Sequence, residues 1–155
     1  MDEYRKYLAD QAKPYFEHVM RLNGAIRRYQ SSRDAIADCV KAIDYSREKV
    51  TVPPYVDAIP DKVAELEELD DHYLHVIDEM IYERKRAEEI IESLDDDRYR
   101  DVLTYRFLNA LPWRTVADVK MHMEISWCTR LAKEAMAAAF FKIPREWRKP
   151  IPRAD

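Results

Sequence analysis

Apolar residues recur every three or four positions along most of this 155-residue chain, a spacing that predicts amphipathic α-helices. Prolines, serines and acidic residues, which start and stop helices, lie between the apolar runs. Gly24 is the only glycine, so the chain lacks the turn chemistry that many short strands require. We therefore predict an all-α fold. It comprises an N-terminal helical hairpin, a long charged helix resembling a coiled-coil stalk, and a C-terminal domain of three helices.

The N-terminal third predicts the hairpin. One helix is expected over about residues 3–28, with Pro14 either at its start or at a kink. A second is expected over about residues 31–49, capped by a serine and packed against the first. Residues 50–60 contain three prolines and are expected to form a linker rather than a regular helix.

Residues 61–94 contain no glycine or proline and are dense in charged side chains, which predicts one long helix. Its apolar positions alternate by three and four and form a heptad seam, with Arg84 as a charged interruption. The apolar members of the seam are Ile77, Met80, Ala87, Ile91 and Leu94. A monomer would cover this long stripe with difficulty, so a homodimer is one expected partner arrangement.

Three short amphipathic runs follow with brief connections, which is the spacing of a helix-turn-helix unit. They cover about residues 98–109, residues 112–122 opening with a proline, and a final helix from about 124 or 126 to 140. The last residues, 142–155, contain three prolines and five basic side chains and are expected to be an extended arm.

Charge divides the chain in a similar way. Residues 1–97 carry 14 Lys and Arg against 24 Asp and Glu, whereas residues 98–155 carry 12 against 6. A basic surface suits contacts to DNA phosphates. The alternative is that the charge difference has no functional cause, because long solvated helices are often acidic. The predicted domains are residues 1–94 for packing and oligomerisation, 95–141 for DNA binding, and 142–155 as a basic, proline-rich tail.

The cysteines and the hydropathy pattern indicate the cellular compartment of the protein. Cys39 and Cys128 are distant in sequence and each lies beside apolar residues, so both are expected to be reduced and buried. No apolar run is long enough for a signal peptide or a membrane span. These features predict a cytoplasmic protein with no membrane partner.

The C-terminal segments also resemble a known family. The chain reads Arg-Tyr-Arg-Asp-Val-Leu-Thr-Tyr-Arg-Phe-Leu over residues 98–108 and Leu-Pro-Trp-Arg-Thr-Val-Ala over residues 111–117, followed by Arg130-Leu131 in the last helix. These segments resemble the sigma-region-4-like helix-turn-helix of small phage and prophage regulators, the RinA- and ArpU-type late-gene regulators. The resemblance covers about residues 61–140.

The resemblance implies a DNA-binding transcription regulator of phage or prophage late genes, which we expect to be an activator, in the cytoplasm of a bacterial host. Its implied partners are double-stranded DNA and host RNA polymerase. The chain departs from the family pattern in two places: the turn over residues 121–126 has no glycine, and Ala132 stands where the family has histidine.

In a helix-turn-helix, the last helix lies in the major groove and reads base edges with its N-terminal residues. Here that helix starts near Ser126, with Arg130 as the candidate for a bidentate guanine contact and Thr129 for a thymine methyl. Lysines and arginines nearby and in the tail suit phosphate contacts. The predicted DNA-binding residues are Arg114, Lys120, Ser126, Trp127, Thr129, Arg130, Lys133, Lys142, Arg145, Arg148 and Lys149.

Two side chains of this region are expected to serve the fold first. Trp127 could lie on the DNA backbone, but an indole in this position more often plugs the turn as a core residue. Arg106 lies among apolar neighbours and is expected to pair with an acidic group such as Asp118 rather than with DNA.

The sequence offers little support for metal binding or catalysis. Asp71, His72, His75 and Asp78 have a spacing that could hold a divalent metal, but such residues on a charged helix usually form a solvated face. There is no glycine-rich phosphate loop and no hydrolase or metalloprotease motif. We therefore predict no enzymatic activity, no cofactor and no metal.

Two other functions remain open at this point. A small terminase-like component of DNA packaging also joins a helix-turn-helix to an oligomerising helical part, and it would form a ring of many subunits. A helical protein-interaction module would instead place the basic domain against an acidic partner.

Overall fold

The computed structural model describes residues 1–49 and 58–150 and contains no β-strand within those ranges, which confirms the all-α prediction. Two π-helical segments, Thr104–Leu108 and Val116–Met121, continue the third and fourth helices, and a 3₁₀ turn covers Arg145–Trp147. None of the helices in these ranges is both long and apolar enough to cross a bilayer. The α-helices are α1 Glu3–Lys49, α2 Ala58–Glu92, α3 Asp97–Leu103, α4 Trp113–Thr115 and α5 Ile125–Ala139.

The predicted N-terminal hairpin is wrong, because α1 is a single helix from Glu3 to Lys49. The expected serine cap is absent: the Ser32 hydroxyl donates to the Arg28 carbonyl at 3.1 Å, four residues earlier in the same helix. Pro14 lies inside the helix with its ring exposed. No glycine or proline follows near the supposed turn, so helix propagation continues through it.

The long second helix is confirmed, as Ala58–Glu92. It begins a little earlier than expected, so Pro60 lies in its first turn. The N–H groups of the first turn have no partner within the helix, so the N–H that proline lacks costs no helical hydrogen bond there. The rest of the predicted linker, residues 50–57, lies outside the described residues.

The chain forms two compact units. The first unit takes Met1–Asn23 and Tyr82–Asp155, and the second unit takes Gly24–Ile81. These boundaries differ from the predicted division at residues 94 and 141, because the N-terminal part of α1 and the C-terminal part of α2 belong to the same unit as the three short helices.

The core of the first unit is built from five helical segments. The N-terminal part of α1 contributes one apolar face, on which Phe16 is fully buried and lies 5.5 Å from Phe107 between ring centroids. Burial of an aromatic or leucine side chain stabilises a fold by about 1.5–3 kcal/mol. This face of α1 is therefore a major source of the stability of the first unit. The other segments are represented by Ala87, Ile91, Leu94, Val102, Leu103, Val116, Ala117, Cys128, Leu131, Ala135 and Met136.

The predicted extended arm is wrong over residues 142–150. Ile143 is only 1% exposed, and the 3₁₀ turn after it places Trp147 edge-on to Tyr15, with ring centroids 5.9 Å apart. The Tyr7 hydroxyl donates to the Pro150 carbonyl at 3.3 Å. Burial raises the pKa of Tyr15 to about 12. Two large apolar side chains, spaced four residues apart among the prolines, anchor this segment to the first unit.

The two cysteines differ. Cys128 is buried as predicted, and burial raises the pKa of its thiol. Cys39 is exposed, so the prediction that both are buried is wrong. A helical position next to apolar residues still faces solvent when it lies on the outer side of the helix.

The segment after α3 ends at a left-handed residue. Ala110 has φ 53°, and the N–H of Leu111 returns to the Tyr105 carbonyl at 3.1 Å. This is the kind of helix end that glycine usually occupies. For an L-residue with a Cβ, the left-handed conformation costs about 1–2 kcal/mol.

Replacing Ala110 by glycine should therefore stabilise the protein. After allowing for the larger backbone entropy of glycine in the unfolded chain, we expect a gain of about 0.5–1 kcal/mol in the free energy of unfolding. Chemical denaturation of the full chain measures it. The matched control is Ala138→Gly at an exposed helical position of α5, which should destabilise by about 0.5–1 kcal/mol. Destabilisation by both glycines would contradict the argument.

Candidate nucleic-acid interface

The candidate interface is built on α4 with its π-helical continuation, a short turn and α5. Pro112, with φ −58° and ψ 148°, caps α4, and its carbonyl accepts the N–H of Val116 at 3.0 Å. Proline suits this position because its fixed φ matches the entry to a helix. The first helix of the pair therefore starts where the sequence predicts.

The turn between the two helices closes without a glycine. His122 adopts the left-handed conformation, with φ 53° and ψ 49°, and the N–H of Met123 donates to the Ala117 carbonyl at 3.0 Å. Glu124 is extended, and its carbonyl accepts the N–H of Cys128 at 2.9 Å as α5 begins at Ile125. Histidine is among the residues that enter the left-handed region more readily than most. The absence of glycine from residues 121–126 is therefore compatible with a tight turn.

The helix α5 has one buried face and one exposed face. The buried face packs against α3 and α4, and much of it is alanine, which allows the neighbouring helices to approach closely. The buried residues of α5 are Cys128, Leu131, Ala132, Ala135, Met136, Ala137 and Ala139.

The exposed face carries four of the predicted DNA-binding residues, Ser126, Trp127, Arg130 and Lys133, all of which are exposed. We call these four the exposed strip. At about 100° per residue, three of them lie within about 60° of one another around the helix, and Trp127 lies beside them. The strip belongs to the N-terminal half of α5, the half that reads bases in a helix-turn-helix.

The placement of Trp127 corrects the expectation that its indole fills the core. The side chain is 64% exposed. Cys128, one residue further along, takes the buried position instead and is fully enclosed. Since α5 begins at Ile125, the register of the helix turns Trp127 outward with Arg130.

Thr129 lies at the edge of the exposed strip and is half-buried. Its hydroxyl donates to the Ser126 carbonyl at 3.0 Å. Together with Lys133, it lines a cleft of about 370 Å³ that also includes Asp10 and Glu17 of α1. Lys13 and Arg106 line the same cleft, so the charge beside this edge of the strip is mixed.

Arg106 does not pair with Asp118 in the part of the chain that the structure describes. One guanidinium nitrogen donates to the Leu111 carbonyl at 2.9 Å, and the group lies 4.8 Å from the centre of the Trp113 ring. Burial lowers its pKa, against the opposing effect of Glu17. Arg106 therefore has a structural role, as expected, but its partners are the Leu111 carbonyl and the Trp113 ring instead of an acidic group. One planar guanidinium can donate a hydrogen bond and lie over an aromatic ring at the same time.

The remaining predicted cations fall into two groups. Arg114, Lys120, Arg145 and Lys149 are exposed. Lys142 and Arg148 have partners within the chain. The Lys142 ammonium donates to the Ser93 carbonyl at 2.8 Å, and Arg148 donates to the Phe141 carbonyl at 3.3 Å. A phosphate contact from either of these two residues would require it to leave that partner.

Sequence reasoning missed a polar cluster at the end of the π-helical segment that follows α3. The Arg84 Nε donates to the Asn23 side-chain oxygen at 2.9 Å, and a second nitrogen of Arg84 lies 3.4 Å from the Leu108 carbonyl. The Asn23 amide donates to the same carbonyl. These two side chains therefore satisfy a terminal carbonyl of the segment that follows α3. The available signal was Arg84 itself, the charged interruption of the heptad seam.

The Asp and His residues of α2 whose spacing could hold a metal do not form a convergent set of ligands in the described residues. Within residues 1–49 and 58–150, no group of three or more His, Cys, Asp or Glu side chains is placed to hold an ion. His75 instead lies 3.1 Å from the Glu79 carboxylate, one turn further along the same helix.

Comparison of this chain with protein-family models, with curated proteins and with solved structures found no match in any of the three. The geometry of the interface therefore carries the functional argument, together with the sequence resemblance.

The hydrogen bonds of this polar cluster predict energetic coupling between Asn23 and Arg84. In a double-mutant cycle of Asn23→Ala and Arg84→Ala, we expect each single change to destabilise the protein and the coupling energy to be about 0.5–3 kcal/mol. Each single variant removes the hydrogen bond between the two side chains and leaves the other partner with its contact to the Leu108 carbonyl, whereas the double variant removes both groups. Denaturant unfolding of the four proteins measures the coupling, and additive effects would show that the two side chains act independently.

Proposed function

We propose that this protein binds double-stranded DNA in a sequence-dependent way and regulates transcription of phage or prophage late genes. The observation that carries the proposal is the exposed strip on α5, which presents Arg130, Lys133, Ser126 and Trp127 opposite a face buried against α3 and α4. A single helix held in this way suits the major groove, which is about 12 Å wide and admits an α-helix.

Arg130 is proposed to read guanine. Its exposed guanidinium lies in the N-terminal half of α5, and its planar fork matches the O6 and N7 acceptors of guanine with two parallel hydrogen bonds. Ser126, one turn earlier, reaches a base edge or a phosphate, and Trp127 lies against the sugar-phosphate backbone. The strip therefore combines one specific contact with contacts that set the register.

Phosphate contacts are proposed for the exposed cations beside the strip. Arg114 and Lys120 lie on α4 and its continuation, and Lys133 extends the strip towards the middle of α5. Lys120 also lies 5.6 Å from the centre of the Tyr105 ring, which limits the directions in which its ammonium can point. The excess of basic residues over 98–155 supports the same assignment.

The regulatory part of the proposal follows from the resemblance of residues 61–140 to phage late-gene regulators. Host RNA polymerase is the proposed protein partner, and activation is the proposed direction of regulation. Sequencing of genomic DNA fragments retained by the protein would identify the operator and show whether it lies upstream of late genes.

Substitutions of Arg130 separate base reading from charge. With a duplex obtained from that selection, Arg130→Ala should weaken specific binding by about 1–3 kcal/mol, or about 5- to 150-fold, because the bidentate contact is lost. Arg130→Lys keeps the charge but not the fork, so its loss should be concentrated at one guanine position. Mobility shifts with the selected duplex and with single-base variants measure both effects.

The control for these variants is Arg21→Ala, which removes the same charge from an exposed position on α1. Its affinity for DNA should remain close to that of the unaltered protein. Circular dichroism should show the same helical content in all variants. Unchanged binding by Arg130→Ala would remove this side chain from the interface.

The salt dependence of binding provides a further test. If the strip and its flanking cations neutralise phosphates, the logarithm of the association constant should fall linearly with the logarithm of the salt concentration. Lys133→Ala should reduce the magnitude of that slope by about 1, with a similar loss of affinity for all sequences. Fluorescence anisotropy at several salt concentrations measures the slope. A flat response would contradict the phosphate contacts.

A further inference from the structure

The second unit, Gly24–Ile81, buries few apolar side chains among its described residues. Among its described side chains, only Ile36 and Ile77 are buried hydrophobic residues. Leu74 remains 38% exposed and Ile81 46% exposed. In water, a helical pair is stabilised mainly by burial of its apolar faces. Among the residues that the structure describes, the apolar faces of this unit are therefore incompletely covered.

A groove of about 680 Å³ lies on one side of this unit. Its apolar lining comes from Ile36, Ala37 and Val40 of α1. Arg33 and Asp70 are joined across it by two hydrogen bonds of 2.9 and 3.1 Å. The other lining residues are Gln30, Asp34, Lys41 and Glu67. An apolar floor with a charged rim is typical of a surface that receives another helix.

Leu74 and Ile81, two of the exposed apolar residues of α2, lie on the same side of the helix as the groove. At about 100° per residue, Leu74 and Ile81 fall within about 60° of Glu67 and Asp70 around the helix. Both of those acidic residues line the groove. The groove and its apolar border therefore form one surface, which we call the groove face.

The charges of the unit indicate what covers this face. In the α1 part, residues 24–49 carry 6 Lys and Arg against 4 Asp and Glu, whereas residues 58–81 of α2 carry 1 against 8. Two α2 segments placed side by side would repel each other. An α1 segment against an α2 segment from another molecule would attract.

We propose that the groove face binds the groove face of a second copy of this chain. The α1 segment of each copy packs against the α2 segment of the other, so the four segments form a helical bundle around a two-fold axis. Such an interface is self-complementary, since each copy supplies the same two surfaces. It buries Leu74 and Ile81 and places the acidic α2 segments next to the more basic α1 segments.

Light scattering coupled to size exclusion tests this interface on the full chain without DNA. The unaltered protein at about 10 µM should have twice the 18.5 kDa mass of the chain. Ile81→Glu should shift the protein to the monomer mass, because a buried carboxylate without a partner opposes association. Measured over a dilution series, the dissociation constant of the Ile81→Glu dimer should be at least about tenfold higher than that of the unaltered protein.

Tyr82→Glu is the matched control. Tyr82 is 67% exposed and next to Ile81 on the same helix, so the change removes a large exposed side chain and adds the same charge. It lies about 100° further around the helix, and the variant should remain dimeric. A monomeric or ring-sized mass for the unaltered protein would overturn the proposal. Equal effects of the two substitutions would overturn the assignment to the groove face.

A measurement on the unaltered chain avoids any effect of substitution on folding. Cys39 is exposed and does not line the groove, whereas Cys128 is buried with a raised thiol pKa, so a spin label attaches at Cys39. Each chain then carries one label, and a discrete electron-electron distance can arise only between copies. Dilution with unlabelled protein should reduce the dipolar signal, and its absence at dimer concentrations would contradict the interface. Because no DNA is present, the result does not depend on the DNA-binding proposal.

Discussion

The hydrophobic core that α5 shares with the N-terminal part of α1, the C-terminal part of α2, α3 and α4 is the constraint on which the first unit depends. Ala132, Ala135 and Ala139 are fully buried on α5, and their small side chains allow close approach of the neighbouring helices. Larger residues on the other elements, such as Phe16 and Phe107, belong to the same hydrophobic core. The three short helices therefore share their core with two long ones, instead of forming a separate domain at the end of the chain.

This packing also sets the orientation of the candidate interface. With one face of α5 buried, its register leaves Arg130 and Trp127 on the opposite side. The left-handed backbone at His122 fixes the turn before α5, and the hydrogen bonds of Asn23 and Arg84 hold the end of the segment after α3. A helix with one face packed in this way keeps its exposed side chains in a defined geometry, which the proposed base reading would require. In the second unit, by contrast, Ile36 and Ile77 are the buried hydrophobic residues among the described side chains.

Local pattern was sufficient for some elements and insufficient for others. The three-four spacing and the helix-starting proline located α2, α4 and α5 to within a few residues. The same rules divided α1 in two, because a serine can cap a helix or continue it, and only the surrounding chain selects between these roles. Proline content suggested an extended tail, yet Ile143 and Trp147 supply enough apolar surface to fold its first part onto the first unit.

By itself, the sequence determined that the chain is helical, where most helices begin, and which basic residues lie along α5, because these depend on short-range periodicity and backbone chemistry. The tertiary structure decided which side of each helix is buried. It exposed Trp127, directed Arg106 to the Leu111 carbonyl and the Trp113 ring, and joined Asn23 with Arg84. These outcomes depend on contacts between residues far apart in sequence. A side chain that can be either buried in the core or exposed at the surface is assigned to one of them by those contacts.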